Sequence, residues 1–295
     1  MVRQPQDMPE EIFRRVIDEL AEHDQYGALK AVGLHFFGEP LNDPRIFERI
    51  EYAAERLPNL LALKRRCDPM RGLSTSTNGV FITEENTDRI LDSGLTGLGL
   101  SLDGATKDTY ERMRYPAKFE DVVRNITCLL ARNRERGGTG ANLFLQVIET
   151  PTTRAELSEL TEAWGPYVNG VPNVFMVTKP LVDFAGQVEY GGAGRDMSRF
   201  FVRVPCPSLF DTMVVTAEGE VTVCCYDVNA AMSRGSLTEQ NLSALWHSPA
   251  YADIRRRHVR RDYRGLPLCE ACRETKRTFA QLNPLKRLAA RGGGA

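Results

Sequence analysis

The sequence predicts an α/β protein built on a parallel sheet, followed by a small cysteine-rich region. Two observations predict this. From residue 9 to residue 179, short apolar runs alternate with amphipathic helical stretches, the pattern of strands joined by outer helices. Five of the seven cysteines, Cys206, Cys224, Cys225, Cys269 and Cys272, then fall in one region near the C-terminus. A chain of 295 residues has room for one large α/β domain and a small appendage.

Asp7 and Pro9 read as an N-cap and a first-turn proline. Ile12, Phe13, Val16, Ile17 and Leu20 recur at helical spacing and predict an amphipathic helix over 9–22. Ala31 to Phe37 reads as a buried strand and Pro44 to Leu57 as a helix. A strand over Gly72 to Thr77 precedes a helix from Thr83 to Ser93, closed by Gly94. Leu98 to Asp103 is a strand, with helices near 106–113 and 119–134 after it. Asn142 to Glu149 is a strand, Thr153 to Trp164 a helix, and Val174 to Lys179 a strand. Further on, Met213–Thr216 and Glu220–Val223 flank Ala217-Glu218-Gly219, a β-hairpin with glycine at its turn. That hairpin brings Cys206 and Cys224 together, and a later loop delivers Cys269 and Cys272. Four thiolates suit either a structural zinc or an iron–sulfur cluster.

Composition narrows the function. Hydrophobic residues make up 42% and charged residues 26%, ordinary for a soluble globular protein. The formal net charge of −1 gives no electrostatic reason to expect nucleic acid or an acidic membrane surface as partner. The basic run from Arg255 to Arg261 reads as a solvated helix face. No apolar stretch reaches the roughly twenty residues of a membrane span, and the N-terminus has no secretory pattern. An odd number of cysteines without a secretion signal favours a reducing, cytoplasmic compartment and metal over disulfides.

Polar motifs fall at the C-terminal ends of the strands, where ligands bind in parallel sheets and barrels. The first strand runs into Phe37-Gly38-Glu39-Pro40, the second into Ser76-Thr77-Asn78-Gly79, and the third into Ser101-Leu102-Asp103-Gly104. Glu39 and Asp103 can accept hydrogen bonds from an amine or a ribose hydroxyl. His35 reads as a hydrogen-bonded core histidine, and Trp246 as a helix anchor.

Together these segments resemble radical S-adenosylmethionine (AdoMet) enzymes with a C-terminal SPASM or twitch auxiliary-cluster domain. Residues 37–40 are similar to that family's Gly-Gly-Glu-Pro motif, with Phe37 in place of the first glycine. Ser76–Gly79 and Ser101–Ala105 are similar to its later strand ends. Cys206-x12-Gly219-x4-Cys224, then Gly235-Ser236-Leu237, Leu242–Trp246, Tyr251–Arg255 and Cys269-x2-Cys272, resemble the SPASM pattern in order. The resemblance implies a partial (β/α)6 barrel over 1–182, a cluster domain over 183–275, and a C-terminal helix and flexible tail over 276–295. It implies AdoMet held by Gly38, Glu39, Pro40, Ser76, Asn78, Ser101 and Asp103, with Gln146 a further lining residue. It also implies one auxiliary 4Fe-4S cluster on Cys206, Cys224, Cys269 and Cys272, with Cys225 an alternate ligand.

The family's Cys-x3-Cys-x2-Cys triplet is absent: only Cys67 and Cys128 lie outside the C-terminal group. The chain also opens on a helix where a six-stranded half-barrel opens on a strand. We therefore expect the first strand and its cluster loop upstream of Met1; a degenerate protein is the alternative. In complete form, the resemblance implies AdoMet, a second 4Fe-4S cluster and an electron donor such as flavodoxin or ferredoxin. The implied reaction is abstraction of hydrogen from unactivated carbon by a 5′-deoxyadenosyl radical, the auxiliary cluster taking a further electron. A small-molecule substrate is expected, with ribosomal-peptide maturation as the alternative. Lys179, Asp183, Glu189 and Tyr190 are substrate-side candidates. A non-catalytic scaffold with a structural metal, and a zinc ribbon on an unrelated α/β enzyme, are the other readings of these residues.

Overall fold

The computed structural model describes residues 4, 6–35, 37–63, 71–188 and 201–278. The chain divides into two compact units, one of residues 13–181 and one of residues 1–12 with 182–295. The grouping of the first twelve residues with the C-terminal unit has no signature in the sequence.

The first unit holds helix α1 (Glu10–Asp24) from Phe13 onward, β1 (Ala31–Gly33), a 3-10 turn (Pro40–Asn42), α2 (Ile46–Arg56), α3 (Pro58–Leu61), β2 (Gly72–Thr77), α4 (Glu84–Asp92) and β3 (Gly97–Ser101). It continues with α5 (Lys107–Met113), α6 (Phe119–Glu135), β4 (Asn142–Glu149), α7 (Pro151–Ala155), α8 (Leu157–Val168) and β5 (Val174–Pro180). The five strands form one sheet in the order β1-β2-β3-β4-β5, every pair parallel. Consecutive order with outer helices is the order of an opened (β/α) barrel, not of a doubly wound sheet.

The central strands are apolar or small because both their faces are covered. Leu73, Leu98, Leu100, Leu143, Phe144, Leu145 and Val147 are all essentially buried. Helix α6 turns Val122, Ile126, Leu129, Leu130 and Asn133 inward, at the spacing of one helical face. Thr83 starts α4 with a capping box to Asn86, and Thr150 starts α7 with one to Thr153. Gly94 follows α4 with φ +85°.

Two expectations are corrected here. The first strand is three residues long, not seven, and two of its three residues are exposed. It is an edge strand paired only with β2, so its outer side has no packing partner among the described residues. The helix expected over 153–164 is broken at Glu156, whose backbone leaves helical geometry. Its carboxylate accepts from the Ala105 N–H and the Thr109 hydroxyl, and so fixes the start of α5 instead.

The second unit carries two small sheets. Strands β6 (Phe201–Arg203) and β10 (Lys276–Thr278) pair antiparallel. Strands β7 (Val214–Val215), β8 (Glu220–Thr222) and β9 (Ser233–Ser236) form an antiparallel meander. The predicted hairpin is its first half. Gly219, at φ +82°, donates to Thr216 O and closes the turn. Helices α9 (Ser208–Asp211), α10 (Leu242–Trp246) and α11 (Pro249–Val259) complete the unit. Residues 276–278 were expected to begin a C-terminal helix. They form β10, whose backbone is tied to β6. The expected tail, residues 279–295, lies outside the described residues. Among the described residues no helix is long and apolar enough to cross a membrane.

Candidate AdoMet and cluster sites

The strand ends of the first unit converge on one polar face. Glu39 accepts from the Thr77 hydroxyl (2.6 Å), the Asn78 N–H (2.7 Å) and the Leu41 N–H (3.1 Å). It thereby locks the Gly38-Glu39-Pro40 loop to the end of β2. Gly38 has φ +124° and open space where a side chain would project. Asn78 accepts from the Val80 N–H and closes its own turn.

Asp103 is buried and already partnered. One oxygen accepts from the Ile148 N–H at 2.6 Å, and the other takes the Arg114 guanidinium. The structure thus shows a strand-end anchor where a ribose or carboxylate contact was expected. Ser101 is buried on the last turn of β3.

Behind this rim, Gly99 lets the Ser76 and Gln146 side chains close directly over the bare backbone of β3. A Cβ there would sit 2.3 Å from Ser76 Oγ and 2.4 Å from Gln146 Nε2. Gln146 is 6% exposed, and its Nε2 has no hydrogen-bond partner among the described residues. Its Oε1 accepts from Lys179 Nζ at 2.8 Å. Burial lowers the Lys179 pKa, with the Asp103 charge acting the other way. His35, beyond β1, has its pKa lowered to about 4 by burial and by the Lys179 charge. His35 was expected to be hydrogen-bonded; its Nδ1 is buried with no hydrogen-bond partner among the described residues. A donor-rich pocket of this kind, with an orphaned amide and a missing Cβ, fits a polar ligand such as AdoMet.

The second unit gathers the thiols. Cys206, Cys224 and Cys269 are half-buried, Cys272 is buried and Cys225 is exposed. Burial raises the pKa of all four predicted ligands except that Cys224 is raised first by its bond with Cys225. Cys269 is pushed up to about 12, with the charges of Cys224, Cys272 and Cys206 adding to desolvation. Cys272 feels Cys224 and Cys206 in the same way. The Tyr226 N–H donates to Cys224 Sγ at 3.4 Å. Asp227, fully buried, accepts from the Ala231 and Met232 N–H groups and orders the loop behind them.

Among the described residues no three histidine, cysteine or acidic side chains close around a single point as one ion requires. Four cysteines in the order and spacing of Cys206, Cys224, Cys269 and Cys272 suit a cluster, in which each iron takes one thiolate. The chain's seven cysteines contain no Cys-x3-Cys-x2-Cys triplet, so its residues do not fit the AdoMet-binding cluster.

Comparison with known proteins decides the family. The Radical SAM superfamily matches residues 2–161, more than half of the chain. The chain belongs to the radical SAM superfamily. A second match, to the SPASM iron–sulfur cluster-binding domain, covers residues 206–273 and includes all four predicted cysteines. Membership brings AdoMet and 4Fe-4S clusters as cofactors, and supports enzymatic radical chemistry. An AdoMet-dependent heme synthase of Methanosarcina barkeri is 26% identical over 128 residues, 43% of this chain and 30% of that protein. The alignment thus spans under a third of the relative's length.

Among solved structures, BtrN in complex with AdoMet and 2-DOIA has a TM-score of 0.55 at 18% identity, covering 92% of this chain and 82% of BtrN. AdoMet-bound anSMEcpe has a TM-score of 0.57 at 15% identity, with coverage of 92% and 82%. Streptococcus suis SuiB bound to its precursor peptide SuiA reaches 0.58 at 13%, with coverage of 86% and 61%. These likenesses establish the fold, a partial TIM-like barrel.

Several contributing residues gave no sequence signal. Arg114 and Glu156 act through contacts 11 and 47 to 51 positions away. Within the basic run, Arg256, Arg260 and Arg261 are exposed as expected, but His258 is buried and Arg255 half-buried. Arg255 donates to Leu209 O and Trp246 O and stacks 4.0 Å over the Trp246 ring. The spacing Tyr251, Ile254, Arg255, His258 is one helical face, and reading it would have separated these residues from the solvated ones. Asp183, a substrate-side candidate, pairs with Arg273 at 3.3 Å. Glu189, Tyr190 and Cys67 lie outside the described residues.

Proposed function

We propose that this protein is a radical SAM oxidoreductase that removes hydrogen from unactivated carbon of a small polar molecule. The supporting observation is the match of residues 206–273, which include Cys206, Cys224, Cys269 and Cys272, to the SPASM iron–sulfur cluster-binding domain. The auxiliary cluster would supply a one-electron acceptor; cleavage of AdoMet needs a further cluster that these residues do not hold. Flavodoxin or ferredoxin is the electron donor class, and the cytoplasm the compartment.

The chain's own residues bind and orient. Gly38, Glu39 and Pro40 present a fixed loop to the amino-acid end of AdoMet, because Glu39 ties that loop to β2. Ser76, Asn78 and Ser101 line the same rim, while Asp103 keeps it in register through Ile148 and Arg114. Gln146 Nε2 offers a buried donor to the ligand, and Lys179 holds the amide in place. Lys179 is half-buried with a lowered pKa, suited to binding a substrate hydroxyl or carboxylate and to exchanging a proton with it.

The test is anaerobic reconstitution followed by metal and sulfide analysis. About four irons with matching sulfide per chain support the cluster assignment, and C225S should load as well as wild type while C224S fails. About one zinc and no iron would instead make the site structural.

A further inference from the structure

One cation borders the cysteine site from within. Arg203 ends β6, three positions before Cys206. Its Nη2 donates to Cys269 O at 2.6 Å and to Cys272 O at 2.8 Å, closing the Cys269–Cys272 turn. Its guanidinium lies 4.1 Å over the Tyr263 ring. Tyr263 meets His258 edge-on at 4.7 Å, and its hydroxyl donates to Val204 O. His258 Nδ1 accepts from the Cys206 N–H at 3.3 Å, which leaves the ring proton on Nε2. Arg203, Tyr263 and His258 thus form a continuous stack linking the third and fourth ligands to the first. Two donors of this stack, Arg203 Nε and His258 Nε2, are buried without partners among the described residues.

The other charges nearby do not offer what Arg203 offers. Arg273, beside Cys272, is 75% exposed and paired with Asp183, so water screens it. Arg257 serves Asp262 and Arg264 O. Glu274 is half-buried and adds negative charge. Arg203 is the cation that reaches the ligand turn through direct hydrogen bonds.

We propose that Arg203 is a positioning residue for the auxiliary cluster and holds its reduction potential up. Reduction adds one electron to a site already surrounded by four thiolates. A fixed cation in a shielded site favours the more negative, reduced state, and net charge is one of the levers that set cluster potentials. A higher potential makes the cluster a better acceptor of a substrate electron. The proposal rests on the four-cysteine cluster assignment.

The experiment uses the full chain and its R203Q, R203K and R273Q variants, each reconstituted without oxygen. Iron per chain and the midpoint potential, followed by electron paramagnetic resonance during redox titration, are the readouts. R203Q is expected to load like wild type and shift to a more negative potential. R203K should stay close to wild type, and R273Q should not move. Loaded R203Q with an unmoved potential overturns the proposal, as does R203K shifting as far as R203Q. If R203Q fails to take up iron, R203K decides: wild-type potential supports the proposal and a shifted one overturns it. A wild-type chain that takes zinc and no iron overturns the cluster assignment itself, an outcome distinct from iron with unmoved potentials.

Discussion

Glu39 commits both carboxylate oxygens to backbone and hydroxyl donors, so its contribution is to shape a loop. Glu39→Ala leaves the Asn78 and Leu41 N–H groups and the Thr77 hydroxyl without their acceptor. We expect a loss of about 1–3 kcal/mol in urea unfolding; an unchanged midpoint would show that water replaces the carboxylate at no cost. Gly99→Ala drives a methyl into Ser76 Oγ and Gln146 Nε2. It should cost about 1–3 kcal/mol and weaken AdoMet binding by calorimetry, whereas undiminished binding would remove this position from the ligand site. His35 gives a pH signature. Its folded pKa, about 4, lies below the ordinary 6.5, so the unfolded chain binds its proton first. The stability it confers is full above about pH 6.5 and is lost as pH falls toward 4, on the order of 3 kcal/mol. Lys179→Met should raise the His35 pKa, followed by its imidazole NMR shifts, because the second cause of the depression is removed. A titration unchanged in the variant would leave burial as the whole cause.

The elements are held at their other end by a different polar device. Asn133 on α6 and Asn173 before β5 exchange reciprocal side-chain hydrogen bonds, and Asn173 also donates to Ala141 O. Asn133→Leu strands one donor and one acceptor of a buried partner and should cost about 1–3 kcal/mol in thermal or urea unfolding; a neutral result would mean the pair is replaceable by packing. The alternation that built this layer was legible from the sequence, because β3 to β5 carry apolar runs and α6 an apolar face, whereas β2 is mostly serine and threonine. The four clustered cysteines were legible for a similar reason, being rare residues at metal-ligand spacing. What could not be read were pairings set by tertiary folding. The pairing of Asp103 with Arg114 and with the Ile148 N–H was among them. His258 looked solvated because its three neighbouring arginines masked the one inward face of α11. Strands β6 and β10 are three residues each, too short for a period to register.

At the scale of the whole molecule, the two compact units should respond differently to iron. Metal binding at four cysteines of one unit stabilises that unit by mass action. Hydrogen exchange should slow across residues 201–278 on iron loading and stay the same across 72–180. Uniform protection of both would show that they unfold as one cooperative body. The order of the ligands along the chain carries a further consequence, in time. Cys224 and Cys269 are 45 positions apart. At roughly 5–20 residues per second of synthesis, the first two thiols leave the ribosome several seconds before the last two exist. β10, which pairs with β6 behind them, emerges later still. For that interval the nascent chain is a half-built chelator, open to oxidants and to the wrong metal, and its yield of correctly loaded protein depends on how quickly the chain is finished.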